Sequence, residues 1–178
     1  KYTAMNSTGT GVLWLMRRAP GFYDQVCYTG TGSATTFTHN LGVAPEMIII
    51  KKRSATSTTG WPVGATSLGW GNALYLNLNN GSSADSTVWN STAPTSSVFT
   101  VGTNTDVNAS GATYVAYLFA STSGVSKIGT YTGTGATQTI GVGFTGGSRF
   151  VMIKRTDTTG DWYIWDTARG MISGTDPY

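Results

Sequence analysis

Charge is what this chain has least of. Only 11% of its 178 residues are Asp, Glu, Lys or Arg, against roughly 25% in ordinary soluble domains. Its surface must therefore be covered by hydroxyls and amides. Eleven basic and eight acidic side chains leave a net charge of +3, too small and too scattered an excess to imply a nucleic-acid partner. Cysteine is scarcer still. Cys27 stands alone, which excludes an intrachain disulfide, and with no base nearby it is expected to be a small core hydrophobe. The chain holds one His and one Glu, so no clustered ligand set exists for zinc, and no metal or cofactor is expected. No apolar run approaches the ~18 residues of a membrane span, and no cleavable leader pattern is seen. A soluble protein without membrane insertion is expected.

Aromatics at 12% and hydrophobic residues at 39% give enough apolar surface to fold, which separates the chain from disordered sequences. The chain is also repetitive. Tyr28-Thr29-Gly30-Thr31-Gly32 recurs as Tyr131-Thr132-Gly133-Thr134-Gly135, and 131 minus 28 is 103 residues. At that offset Ile48-Ile49-Ile50-Lys51 aligns with Val151-Met152-Ile153-Lys154, and Thr58-Thr59-Gly60-Trp61 resembles Thr158-Thr159-Gly160-Asp161-Trp162. Asn6-Ser7-Thr8-Gly9 followed by Val12-Leu13-Trp14-Leu15 resembles Asn108-Ala109-Ser110-Gly111 followed by Val115-Ala116-Tyr117-Leu118. Residues 1–20 thus read as the last strand of one unit, 21–123 as a complete unit and 124–178 as the first half of another. A period near 103 suits a small β domain, not a solenoid repeat. Two readings of the half-units stay open: a fragment of a longer array, or completion by neighbouring subunits through strand exchange.

Helical periodicity is absent, and short β-rich runs separated by Gly, Asn, Ser and Pro predict strands. They fall at 12–16, 25–28, 47–52, 73–78, 98–101, 113–120, 127–131, 150–155 and 162–165. Leu74, Leu76 and Leu78 alternate with polar or aromatic neighbours, as in a half-buried strand. The run from Thr113 to Ala120 is apolar on both faces and must be covered on both. Together these runs predict an all-β, antiparallel β-sandwich of jelly-roll-like form.

Catalytic chemistry is sparse. His39, just before Pro45-Glu46, reads as a hydrogen-bonded loop imidazole, and no Gly-x-Ser-x-Gly elbow accompanies it. The Gly-Thr-Gly pieces lack the lysine and helix of a phosphate loop and read as turns. Asp161 and Asp166 flank aromatics as glycosidase carboxylates do, but the earlier copy, Gly60-Trp61-Pro62-Val63-Gly64, carries no carboxylate. No catalytic residue is assigned. Asn-x-Ser/Thr triplets at Asn6, Asn80, Asn90 and Asn108 are expected by chance in so Ser/Thr-rich a chain. Ring faces beside Asn and Thr suit sugars as well as cores, which makes Trp61, Trp70, Tyr75, Trp89, Trp162 and Trp165 candidate glycan contacts. The competing reading packs them in the sandwich or at subunit interfaces.

The phrases Tyr28-Thr29-Gly30-Thr31-Gly32, His39-Asn40-Leu41-Gly42-Val43-Ala44-Pro45-Glu46, Ser86-Thr87-Val88-Trp89-Asn90 and Gly111-Ala112-Thr113-Tyr114-Val115-Ala116-Tyr117-Leu118-Phe119-Ala120 resemble, in that order, a repeat domain of tail and fibre structural proteins of tailed bacteriophages, many of them aquatic. The resemblance implies a non-catalytic virion protein exposed to the extracellular medium, working as spacer or adhesin. Its expected partners are further copies of itself, as a trimer or larger homo-oligomer, and other virion proteins. The alternative it leaves is a domain that binds a host-surface glycan.

Overall fold

The computed structural model describes residues 11–54 and 58–171; Asn6-Ser7-Thr8-Gly9, used above in the repeat, lies outside them. The architecture is all-β, sandwich-like and antiparallel at every strand pair. Its main sheet has six strands in the order β1-β8-β3-β4-β5-β6, formed by β1 (Tyr23–Thr29), β3 (Met47–Lys52), β4 (Pro62–Ala65), β5 (Asn72–Tyr75), β6 (Ser83–Ala84) and β8 (Thr113–Phe119). Two further pairs are β2 (Thr35–Thr38) with β7 (Val98–Val101), and β9 (Phe150–Lys154) with β10 (Trp162–Asp166).

The principal core lies between the six-stranded sheet and the β2–β7 pair. Strand alternation sends Tyr114, Ala116 and Leu118 of β8, and Ile48 and Ile50 of β3, into this layer, where Phe99 and Val101 of β7 meet them. Two single-turn helices close its margin: α1 (Ser86–Trp89), capped by the Asp85 carboxylate accepting from Thr87 N–H, and α2 (Thr105–Asn108), capped by Asn104 Oδ1 accepting from Asp106 N–H. Buried Val88, Trp89 and Val107 are their contributions. Gly64 in β4 is required here. A Cβ at that position would fall 2.6 Å from Trp89 Cε2 and 2.7 Å from Trp70 Cζ3, so only glycine lets the two indoles pack edge to face at 5.5 Å.

The opposite face of the sheet carries a second, smaller core. Ile49, Val63 and Leu74 are buried there with Met47, Tyr117 and Phe119 beside them, and Met152 and Trp162 of the β9–β10 hairpin pack on top. The two-faced apolar pattern of β8 is explained by these two covers.

Several sequence expectations need correction. Val12–Met16 and Lys127–Tyr131 form no strand; among the described residues neither has a ladder partner, and propensity alone does not hold an isolated strand. The β5 strand ends at Tyr75 because Leu78 N–H donates back to Tyr75 O and Asn77 Oδ1 accepts Trp61 N–H, folding the chain into a turn. Leu78 is consequently exposed, not on the core face. Cys27 is also exposed. Val26 and Tyr28 take the inner positions of β1, so period-two alternation turns Cys27 and Gln25 outward.

Candidate functional site

The region that stands out is the β9–β10 hairpin with the sheet face beneath it. Its seat is built from backbone. Gly160 N–H donates to Asn79 O and Ser82 N–H donates to Thr156 O, both at 2.8 Å. Trp162 lies over the smaller core and its Nε1–H donates to Tyr75 O at 2.9 Å. Gly81 is needed for the close approach, since a Cβ there would sit 3.0 Å from the carbonyl oxygens of Thr156 and Thr158.

This hairpin reproduces the bonding of β3–β4. Thr66 N–H donates to Glu46 O, and Thr167 N–H to Arg149 O. Gly69 and Gly170, both with positive φ, close one-turn 3-10 helices onto Thr66 O and Thr167 O. Lys51 Nζ donates to Thr59 O at 2.8 Å, and Lys154 Nζ to Gly160 O at 2.7 Å. The registers Met47 with Ala65 and Phe150 with Asp166 span 18 and 16 residues, so the second loop is shorter by two.

The two Tyr-Thr-Gly-Thr-Gly phrases have opposite environments. In the first, the Tyr28 hydroxyl donates to Val107 O at 2.7 Å, and burial, then the neighbouring Tyr114, push its pKa far above the ordinary phenol value. Asn108, fully buried, accepts from Thr31 N–H and donates to Ser33 O and Gly102 O, each at 2.7 Å. In the second, Tyr131 is 49% exposed against 7% for Tyr28. No described atom lies within 4 Å of where a Cβ would stand on Gly133 or Gly135.

The six aromatic candidates separate into groups. Trp70 and Trp89 are core residues, and burial leaves neither ring a face for a sugar. Trp61 carries Lys51 Nζ 5.0 Å above its ring and, with Trp162, borders the smaller core, while Tyr75 borders the principal one. Trp165 stacks on exposed Tyr163 at 5.6 Å and 13°. Trp162 also lines an open groove of about 460 Å³ with Leu76, Asn77, Leu78, Asn79 and Asp161.

Asp161 and Asp166 do not converge. Five residues of extended chain separate their Cα atoms by roughly 16 Å, on opposite faces, beyond the carboxylate spacing of a glycosidase. Asp166 is occupied structurally: it accepts from Trp14 Nε1–H, Arg169 N–H and Arg169 Nε–H, each at 2.9 Å. Burial opposes its ionisation, but these donors outweigh it and hold its pKa below the ordinary value. His39 is buried in its loop, with Nδ1 accepting from Leu41 N–H and Nε2 facing Thr95 O at 3.1 Å.

Asn108 is the residue whose role sequence reasoning passed over. It appears there in a repeat match and as a chance glycosylation triplet. Its recurrence just upstream of a two-faced apolar strand was the available signal.

The fold and this seam define an all-β module. The chain belongs to a family described as a domain of unknown function, DUF7483, whose model matches residues 16–177. That match runs through both the six-stranded sheet and the hairpin. No curated protein and no solved structure matches the chain.

Proposed function

We propose that the protein is a non-catalytic structural component of a bacteriophage tail or fibre, assembled through β-sandwich repeats packed one against the next. The observation that carries the packing is the β9–β10 hairpin, which repeats the strand-entry, 3-10 and lysine hydrogen bonds of β3–β4 and covers the outer face of the sheet holding β3 and β4. A 103-residue unit that presents one sheet face to the start of the following unit has a built-in means of adding length. The virion location rests on the resemblance of the quoted phrases to tail and fibre repeats. A weakly charged, hydroxyl-rich surface suits a particle that meets varied salt, because its contacts depend little on screened ion pairs.

Antibodies raised against the chain, applied to particles that carry its gene and viewed by negative-stain electron microscopy, should decorate the tail or its fibres. Decoration of the heads, or of no particle, would contradict the proposal.

The groove at Trp162 favours a second reading, a host-surface glycan site, because it sets an indole beside the amides of Asn77 and Asn79. A glycan array would show a binder that Trp162→Ala loses; no binding by the intact chain would remove this reading.

A further inference from the structure

In the main sheet β3 is paired on both sides, with β4 along one edge and β8 along the other. Its counterpart β9 has β10 along one edge, and among the described residues nothing pairs with the other. An open edge of this kind is a template for an added strand. The same chain carries a segment of matching character: Val12-Leu13-Trp14-Leu15 resembles Val115-Ala116-Tyr117-Leu118 of β8, yet residues 11–17 form no ladder. Leu13 is 67% and Leu15 84% exposed. A two-faced apolar strand without cover and a β9 edge without its β8 are complementary halves of one arrangement.

Resting on the reading of the chain as a repeat-built assembly module, we infer that the open edge of β9 takes residues 11–17 of a second copy of the chain as an antiparallel strand. The register is the one β8 takes on β3. Ile48 stands opposite Leu118, Ile49 opposite Tyr117 and Ile50 opposite Ala116. Carried over by the repeat offset, this sets Leu15 opposite Val151, Trp14 opposite Met152 and Leu13 opposite Ile153. Trp14 then joins Met152 on the face that packs against the smaller core, as Tyr117 joins Ile49.

The chain's own segment rests elsewhere. Its Trp14 lies across the end of the hairpin, bonded to Asp166 Oδ2, edge-on to Phe150 at 5.8 Å and beneath the Arg169 guanidinium. Phe150 is two positions from Met152. The residues that follow are tied to the start of β1 by the Arg18–Asp24 ion pair and the Ala19–Tyr23 bridge. A second copy brings the strand free of that attachment. Each copy then holds one donor strand and one acceptor edge, so association runs head to tail and closes into a ring or extends as a filament.

The test uses four variants in a Cys27→Ser background: Leu13→Cys, Ile153→Cys, the Leu13→Cys/Ile153→Cys double, and the Leu13→Asp/Leu15→Asp pair. Under mild oxidation the first two, mixed, should yield a disulfide-linked heterodimer in excess of either homodimer. The Asp pair, substituting exposed residues, should keep the circular dichroism of the parent and lose its assembled mass. An Asp pair that stays assembled refutes strand addition while leaving repeat assembly standing. A parent that is monomeric refutes both. A Leu13→Cys/Ile153→Cys double variant that closes only within one chain also overturns the inference.

Discussion

Removing the Asn108 side chain should cost the fold about 2–4 kcal/mol. The residue is fully buried and makes three hydrogen bonds of 2.7 Å that tie α2, the end of β7 and the Thr31–Ser33 turn together. In Asn108→Ala all three are lost, at about 1 kcal/mol each in net terms. Thr31 and Ser33 are exposed, so their backbone groups regain water. Gly102 is buried, and its bare carbonyl is the main source of any larger loss, about 1–3 kcal/mol for an unsatisfied group. Urea unfolding followed by tryptophan fluorescence measures the difference, which corresponds to a fall in Tm of roughly 4–16 °C for a chain of this size. Asn108→Asp sharpens the argument. It keeps the acceptor for Thr31 N–H but turns a carboxylate toward two carbonyl oxygens, raising its folded pKa above the unfolded value of about 3.9. The added penalty is absent below that value and grows as pH rises through the folded pKa. The gap from the parent should therefore be wider at pH 7 than at pH 4. A cost below about 1 kcal/mol for Ala, or equal gaps at the two pH values for Asp, would refute this account of the node.

Trp89→Ala should lose about 3–5 kcal/mol. Trp89→Phe should lose clearly less, because the buried indole Nε1–H has no partner among the described residues and phenylalanine removes that group. Gly64→Ala should cost at least about 1–3 kcal/mol by overpacking the two indoles, read by the same unfolding curves. Acid should weaken the fold through Asp24 and Asp166. Burial opposes the ionisation of Asp24, but donation from Asn40 N–H, Arg18 and Gln25 N–H outweighs it and lowers the pKa. Stability from both carboxylates is full above the unfolded value of about 3.9 and is lost as pH falls through the lower folded values; replacing Arg18 and Arg169 should flatten that loss. Cys27, exposed on β1, should label with maleimide in the native protein at the rate of an unfolded control, and strong protection would contradict its outward orientation.

Strand identity was legible where apolar residues run together, and β2 was missed because Thr35-Thr36-Phe37-Thr38 offers one large apolar side chain. The runs that became β3 and β7 were bounded to the residue, and β8 and β9 to within one. The two-sided cover of β8 was legible for the same reason, since only a strand between two layers can carry Tyr114 and Leu118 on one face and Tyr117 and Phe119 on the other. Val12–Met16 misled because a sequence run shows what a strand would bury, never whether an edge is present to receive it. Leu78 misled because its alternation was overridden by the Asn77–Trp61 bond, a contact between residues 16 apart. β4 was hidden by its composition. Pro62 and Gly64 interrupt the apolar pattern of a strand, yet Pro62, which has no N–H to donate, pairs only with Tyr75 of β5, the ladder to β3 stopping at Val63, and Gly64 is small to admit two indoles. At the candidate site, the repeat arithmetic aligned the run of β3 with that of β9, and Trp162 stood out by type. The Asn77–Asn79 side of the groove did not, because a turn that follows β5 places it there.

The measurement that bears most directly on an assembly role is the mass of the native particle by light scattering at low and at high salt. Only three ion pairs occur among the described residues, and the contacts proposed between copies are apolar side chains and backbone ladders. The account predicts a trimer or larger assembly whose mass is unchanged by salt. A monomer at both ionic strengths, or an assembly that dissociates as salt rises, would contradict it.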